Sequence, residues 1–150
     1  MDETYIKVGG NDCYLYRAVD KFGNTVDFLP TKRRMKSSAQ KFLDKDIGNN
    51  SKPRVINIDK SGANKSGIRS INRELLTVKR IKIQQCKYLN NIVEQDHRNI
   101  KRRILIDTSF KEFESAKRTL ANITVVKIIR KGQIADLGKR TFKTFCSLAA

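Results

Sequence analysis

The sequence is short of several things. It has no tryptophan, one histidine, two prolines and three cysteines, and its fifteen acidic residues stand against thirty-two lysines and arginines. Each shortage removes a class of function. Cys13, Cys86 and Cys146 are odd in number, far apart and without a CxxC pair, which argues against a disulfide framework or a zinc site and predicts three reduced thiols. The lone His97 cannot assemble a metal cluster without partners. No stretch approaches the roughly 18 consecutive apolar residues of a membrane span. The start, Met1-Asp2-Glu3-Thr4, is too polar and acidic for a secretory signal, so a cytoplasmic chain without membrane contact is expected. No GxxxxGK[ST] loop offers itself to a nucleotide phosphate, so no nucleotide cofactor is expected.

What the chain does have is positive charge. A net charge of +17 and a pI near 10.1 imply a polyanionic partner such as nucleic acid, because cations that neutralise phosphates release condensed counterions. The competing reading is a lysine bias of composition, or a ribosomal type of protein. Charge alone says nothing about chemistry. With 150 residues, 39% of them hydrophobic, the chain has room for one domain with a genuine core.

Residues 5–8 and 13–19 are rich in β-branched and aromatic side chains and flank Gly9-Gly10-Asn11, which predicts a hairpin. A turn at 20–24 leads to a third strand at 25–29, ended by Pro30. From Lys32 the period changes: Met35, Ala39, Phe42 and Leu43 recur at helical spacing up to about Gly48. Residues 55–59 are a short apolar run typical of a strand buried on both faces. A helix carrying Ile68, Ile71 and Leu75 follows, then a fifth strand at 80–85 and a helix capped by Asn90 or Asn91 that runs to about Leu105. A last helix places Phe113, Ala116, Leu120 and Ile123 on one face. This order predicts an α/β fold with a mixed sheet, three antiparallel strands and then alternating helices and strands, as in ribonuclease H-like domains, with a C-terminal helical extension. The domain is expected over residues 1–131, with a basic tail at 132–150.

Three carboxylates stand out in this acid-poor chain. Asp2 lies on the first strand in phase with Thr4 and Ile6. Asp59 closes the apolar run, where a charge is costly unless it is paired or binds a metal. Glu94 lies in the first turns of the helix after the fifth strand. Phosphoryl transfer on DNA is helped by two divalent ions about 3.5–4 Å apart, and magnesium and manganese prefer carboxylate oxygen. On the helical wheel Val93, His97, Ile100 and Ile104 form the core stripe, and Glu94, Arg98, Lys101 and Leu105 form its neighbour. A carboxylate for metal and a cation for phosphate on one face would suit DNA. By spacing alone the same residues also fit an ordinary flank of a surface helix. His97, on the apolar stripe, is expected to be a packed, hydrogen-bonded structural histidine rather than a catalytic one.

These residues resemble a known family. Asp2-Glu3-Thr4-Tyr5-Ile6-Lys7-Val8 and Tyr14-Leu15-Tyr16-Arg17-Ala18-Val19-Asp20 are similar to the opening of the catalytic domain of insertion-sequence-six-type DDE transposases. Asn57-Ile58-Asp59-Lys60 resembles the block around that family's second acid. Tyr88-Leu89-Asn90-Asn91-Ile92-Val93-Glu94-Gln95-Asp96-His97-Arg98, continuing through Ile100-Lys101-Arg102-Arg103, is the most specific match. Arg118-Thr119-Leu120-Ala121 and Ile129-Arg130-Lys131-Gly132-Gln133 continue it. Thirty-four residues lie between Asp59 and Glu94, the interval the family uses. The resemblance implies metal-dependent DNA strand cleavage and transfer, with Asp2, Asp59 and Glu94 holding two Mg2+ or Mn2+ ions. It implies Lys101 on the DNA end, with Arg98, Arg102 and Arg103 at the rim of the site. DNA is the implied partner, with a possible homodimer.

There are departures. Family members carry a helix-turn-helix ahead of this domain, whereas only Met1 precedes Asp2 here, and Cys13 stands where the family tends to have an aromatic residue. The chain is therefore expected to be a truncated, inactive remnant. The rival readings are a basic nucleic-acid-binding protein without catalysis and a retroviral-type integrase or ribonuclease H-like nuclease. The Glu94 block and the missing His/Cys zinc module weigh against the integrase.

Overall fold

The structure, a computed structural model, describes residues 1–106 and 110–134; the side chains at 87–90, 99, 103, 105 and 106 lie outside that description. Strands β1 (Asp2–Val8), β2 (Asn11–Val19) and β3 (Thr25–Thr31) form an antiparallel meander in that order. The β1–β2 turn uses Gly9 and Gly10 at φ 55° and 77°, a region that costs side-chain-bearing residues dearly. Gly9 is also close-packed: its N–H donates to Phe110 O at 2.7 Å, and a Cβ there would sit 3.0 Å from Lys111 O. In the second turn Asp20 Oδ1 accepts the N–H groups of Phe22 and Asn24, both at 2.8 Å. β3 runs past Pro30 to Thr31, two residues further than the sequence suggests. β3 is an edge strand, so a proline without an N–H is tolerated there.

The rest of the chain supplies α1 (Lys36–Asn49), β4 (Val55–Asn57), α2 (Gly62–Glu74), a 3-10 turn (Thr77–Lys79), β5 (Lys82–Gln84), α3 (Lys87–Ile106) and α4 (Phe113–Arg130). α3 begins at Lys87, ahead of the expected cap; the Asn90 side chain lies outside the described ones. β4 and β5 pair in parallel, Val55 with Lys82 and Asn57 with Gln84, as a two-stranded sheet of their own rather than as part of one continuous sheet. The Met1 amino group donates to Asn57 O at 2.9 Å across the seam between β1 and β4. Ile58 N–H still donates to Gln84 O at 2.9 Å, so the chain stays tethered to β5 as far as Ile58 and delivers Asp59 just beyond the strand.

Alternation along β2 splits the core into two. Tyr16 and Ala18 face Phe42 and Leu43 of α1, Ile68 of α2, and Ile56 and Ile58. Cys13 and Leu15, with Ile6 and Val8 of β1, face Ile100 of α3 and Ala116 and Leu120 of α4. The sheet is therefore a middle layer between two helical layers. α1 and α2 approach closely at Gly67, where a Cβ would lie 3.1 Å from that of Ala39. The sequence placed these core residues on the right stripes: Val93, His97 and Ile100 are buried and Ile104 packs beside them. Cys13 and Cys86 are free thiols, and Cys146 lies outside the described residues.

Candidate metal centre

At the β1–β4 seam three carboxylates meet. Asp2, Glu3 and Asp59 each place an oxygen within 4.8 Å of the others. Consecutive strand residues point to opposite faces. β1 is the free edge of its sheet and Asp59 lies past the end of β4, so Asp2 and Glu3 reach it from either side of that edge.

The three acids are held differently. Glu3 is fully engaged: Arg34 Nε donates to Oε1 at 2.6 Å, Ser61 Oγ to the same oxygen at 3.2 Å, and Asn64 Nδ2 to Oε2. Its charge is matched by the Arg34 guanidinium. Asp59 accepts the Ser61 N–H at 2.9 Å and the edge of the Asn64 amide at 3.5 Å, which fixes its orientation at the start of α2. Asp2 has the Met1 ammonium nearby, but that charge is outweighed. Burial, then the Asp59 and Glu3 carboxylates, push its carboxyl up to about 7. Carboxylates crowded in this way suit a hard divalent cation such as Mg2+ or Mn2+. Glu3 was missed by sequence reasoning because strand alternation assigns Asp2 and Glu3 to opposite faces. The available signal was two adjacent acids in an acid-poor chain.

Proton and cation compete at Asp2. Affinity for Mn2+ is therefore expected to rise as pH increases through about 7, with proton release on binding below that value. Calorimetry in buffers of different ionisation enthalpy would count the protons. Without a divalent ion the same raised value contributes stability that is present below the ordinary carboxylate range and lost as pH rises through about 7.

α3 packs on β1 and β2 and brings a second set of residues to this edge. His97 Nε2 lies 3.8 Å from Asp2 Oδ2. Lys101 Nζ sits 4.0 Å above the centre of the exposed Tyr5 ring, a cation–π contact at the open edge of β1. Arg98 and Arg102 are exposed beside it, and the Arg103 side chain lies outside the described ones. Glu94 is exposed and is not among the three clustered acids. The turn of α3 that faces Asp2 presents His97, and Glu94 stands almost one turn earlier on the solvated flank.

A family model described as a DDE domain, of the IS240 transposase type, matches residues 1–133. The chain belongs to the DDE transposase family. It is 36% identical over 136 residues to the transposase for insertion sequence-like element IS431mec of Staphylococcus aureus, covering 87% of this chain. The transposase for insertion sequence element IS257 in transposon Tn4003, also of Staphylococcus aureus, matches to the same extent. The chain spans 57% of the length of these relatives. A cryo-EM structure of the simian T-cell lymphotropic virus intasome in complex with PP2A regulatory subunit B56 gamma has a chain that superposes with a TM-score of 0.56 at 19% identity, covering 77% of this chain and 43% of that one. That likeness is one of fold, and the DDE domain has the ribonuclease H-like mixed α/β architecture. No helix among the described residues is long and apolar enough to cross a membrane.

Behind its carboxylates the DDE domain holds a second charged cluster, one the sequence did not suggest. Arg17 on β2 is fully buried, with Nη2 2.6 Å from Asp96 Oδ2 on α3. The guanidinium also donates to Thr124 Oγ1 and Thr25 Oγ1, both at 3.1 Å. Lys127 of α4 and Lys131, which caps its C-terminus, also pair with Asp96, Lys131 at 2.9 Å. Burial pushes the Asp96 carboxyl up, but Arg17, Lys127 and Lys131 outweigh it and hold it below the usual range. Sheet, α3 and α4 are thus tied at one carboxylate. Asp96, in the block that resembles the family most, was legible as a motif residue but not as a clamp.

Proposed function

We propose that this DDE domain binds DNA and cuts and transfers its strands, with Asp2 and Asp59 as the carboxylates that hold Mg2+ or Mn2+. The observation that carries the reading is the convergence of Asp2 and Asp59, from separate elements, at one open sheet edge. Glu94, one turn from the helix residue that reaches Asp2, supplies the third carboxylate in this reading. Divalent ions there would activate an attacking oxygen and stabilise a leaving one on phosphorus. The chain's own groups do the rest. Ser61 and Asn64 aim Asp59, and Glu3, already paired with Arg34, locks the start of α2 against β1. Lys101, Arg98 and Arg102 offer cations to the phosphates that would lie across the edge.

The test is nicking of duplex DNA with Mg2+ or Mn2+, expected with the divalent ion and absent in chelator. A basic protein without catalysis would bind the same duplex and cut it under neither condition. End-selective joining is not proposed for these 150 residues alone. They span 57% of the relatives' length, and the cations identified on α3 serve phosphates rather than base edges.

Binding to duplex DNA should weaken steeply with salt and show little sequence preference. Replacing Arg98, Lys101 and Arg102 together by alanine should lower the slope of log affinity against log salt by about one for each phosphate that is no longer neutralised. Fluorescence anisotropy at several salt concentrations measures it. An unchanged slope would move the DNA path away from α3.

A further inference from the structure

We propose that His97 is a positioning residue: its Nε2–H orients the Asp2 carboxylate for the cation shared with Asp59. This inference rests on the reading of Asp2 as a cation ligand. The expectation of a hydrogen-bonded structural histidine is only half met. The ring is buried, at 5% exposure, but neither Nδ1 nor Nε2 has a hydrogen-bond partner among the described residues. A buried polar ring with both nitrogens unsatisfied calls for an explanation, because native interiors rarely tolerate one. One of its nitrogens faces the candidate metal centre: Nε2 lies 3.8 Å from Asp2 Oδ2. That gap exceeds a normal N–H···O distance by under about 1 Å, which a small rotation of the Asp2 side chain closes.

The surroundings suit a neutral donor. The ring is buried on the apolar stripe of α3 with Val93 and Ile100, where burial favours a neutral imidazole with a single N–H. A neutral donor orients a carboxylate without competing with the cation for its charge. The backbone is fixed from behind as well, since the preceding residue, Asp96, is anchored to Arg17 and α4. Carboxylates that ligate metals are commonly held by such outer hydrogen bonds, and removing the partner typically lowers metal affinity by about 10–100-fold.

The test compares Mn2+ affinity and thermal stability of the full chain with Asp2→Asn, His97→Leu and His97→Gln. Asp2→Asn should lose tight Mn2+ binding. His97→Leu should bind Mn2+ about 10–100-fold more weakly while its Tm is held or raised, since leucine suits an apolar stripe. His97→Gln, which keeps a donor amide, should recover most of the affinity. If Asp2→Asn abolishes binding while His97→Leu binds like wild type, the positioning role fails and the metal site stands. If Asp2→Asn binds like wild type, both fail. A second measurement is independent of how the variants fold. His97 is the only histidine, so its imidazole 15N signals are unambiguous. Adding Mg2+ should perturb the Nε2–H signal in wild type and leave it unmoved in Asp2→Asn. An imidazole protonated on Nδ1 rather than Nε2 in the presence of Mg2+ would overturn the proposal.

Discussion

Asp59→Asn is expected to reduce Mg2+- or Mn2+-dependent nicking of duplex DNA by on the order of 1,000-fold or more, the scale seen when a residue acting as part of one catalytic unit is removed. The substitution is close to isosteric. Asparagine still offers an oxygen to the Ser61 N–H, so the start of α2 is preserved, and what is lost is the negative charge. Two further effects separate this cause from misfolding. The Asp2 carboxyl should titrate below its present value of about 7, because one of the carboxylates that raises it is gone. DNA affinity measured without divalent ion should hold or rise slightly, since one carboxylate fewer faces the phosphates. Nicking kinetics, a carboxyl titration followed by NMR and anisotropy read the three effects. A variant that nicks like wild type would remove Asp59 from the site.

The largest expected effect on stability lies at Asp96. Asp96→Ala leaves Arg17, with no exposed surface, and Lys127 without their shared counter-charge. Breaking a buried pair by removing one partner costs about 3–5 kcal/mol. For a domain of this size that corresponds to a fall in Tm on the order of 10 °C. The pH dependence has a definite sign. The folded carboxyl is held below its ordinary value, so its contribution is present above the usual aspartate range and is lost as pH falls through the depressed value. Urea unfolding followed by circular dichroism should show the gap between wild type and variant narrowing only at acid pH. Pairing Asp96→Leu with Arg17→Met should recover part of the loss, because neither charge is then stranded. A single variant within about 1 kcal/mol of wild type would show that the hydroxyls of Thr25 and Thr124 satisfy Arg17 without Asp96.

Much of this was written in local pattern. β-branched and aromatic residues flanking Gly9 and Gly10 marked the hairpin, and helical spacing put Val93, His97 and Ile100 on the buried stripe of α3. Those patterns are legible because each residue's environment follows from its position on a single element. The motif blocks around Asp2, Asp59 and Glu94 likewise pointed to the DDE family. What no one-dimensional pattern contains is how elements meet. Asp2 and Glu3 read as opposite faces of a strand, yet both reach Asp59, because β1 is a free edge and β4 stops short of it. Arg17 looked like one more cation in a basic chain, and only the docking of α3 and α4 on β2 made it the centre of a buried ion cluster. His97 was correctly assigned to the interior from its spacing, but that its Nε2 faces Asp2 depends on where α3 lies along β1. Such contacts join residues scores of positions apart, and their cost or value arises from desolvation, which exists only once the layers have closed.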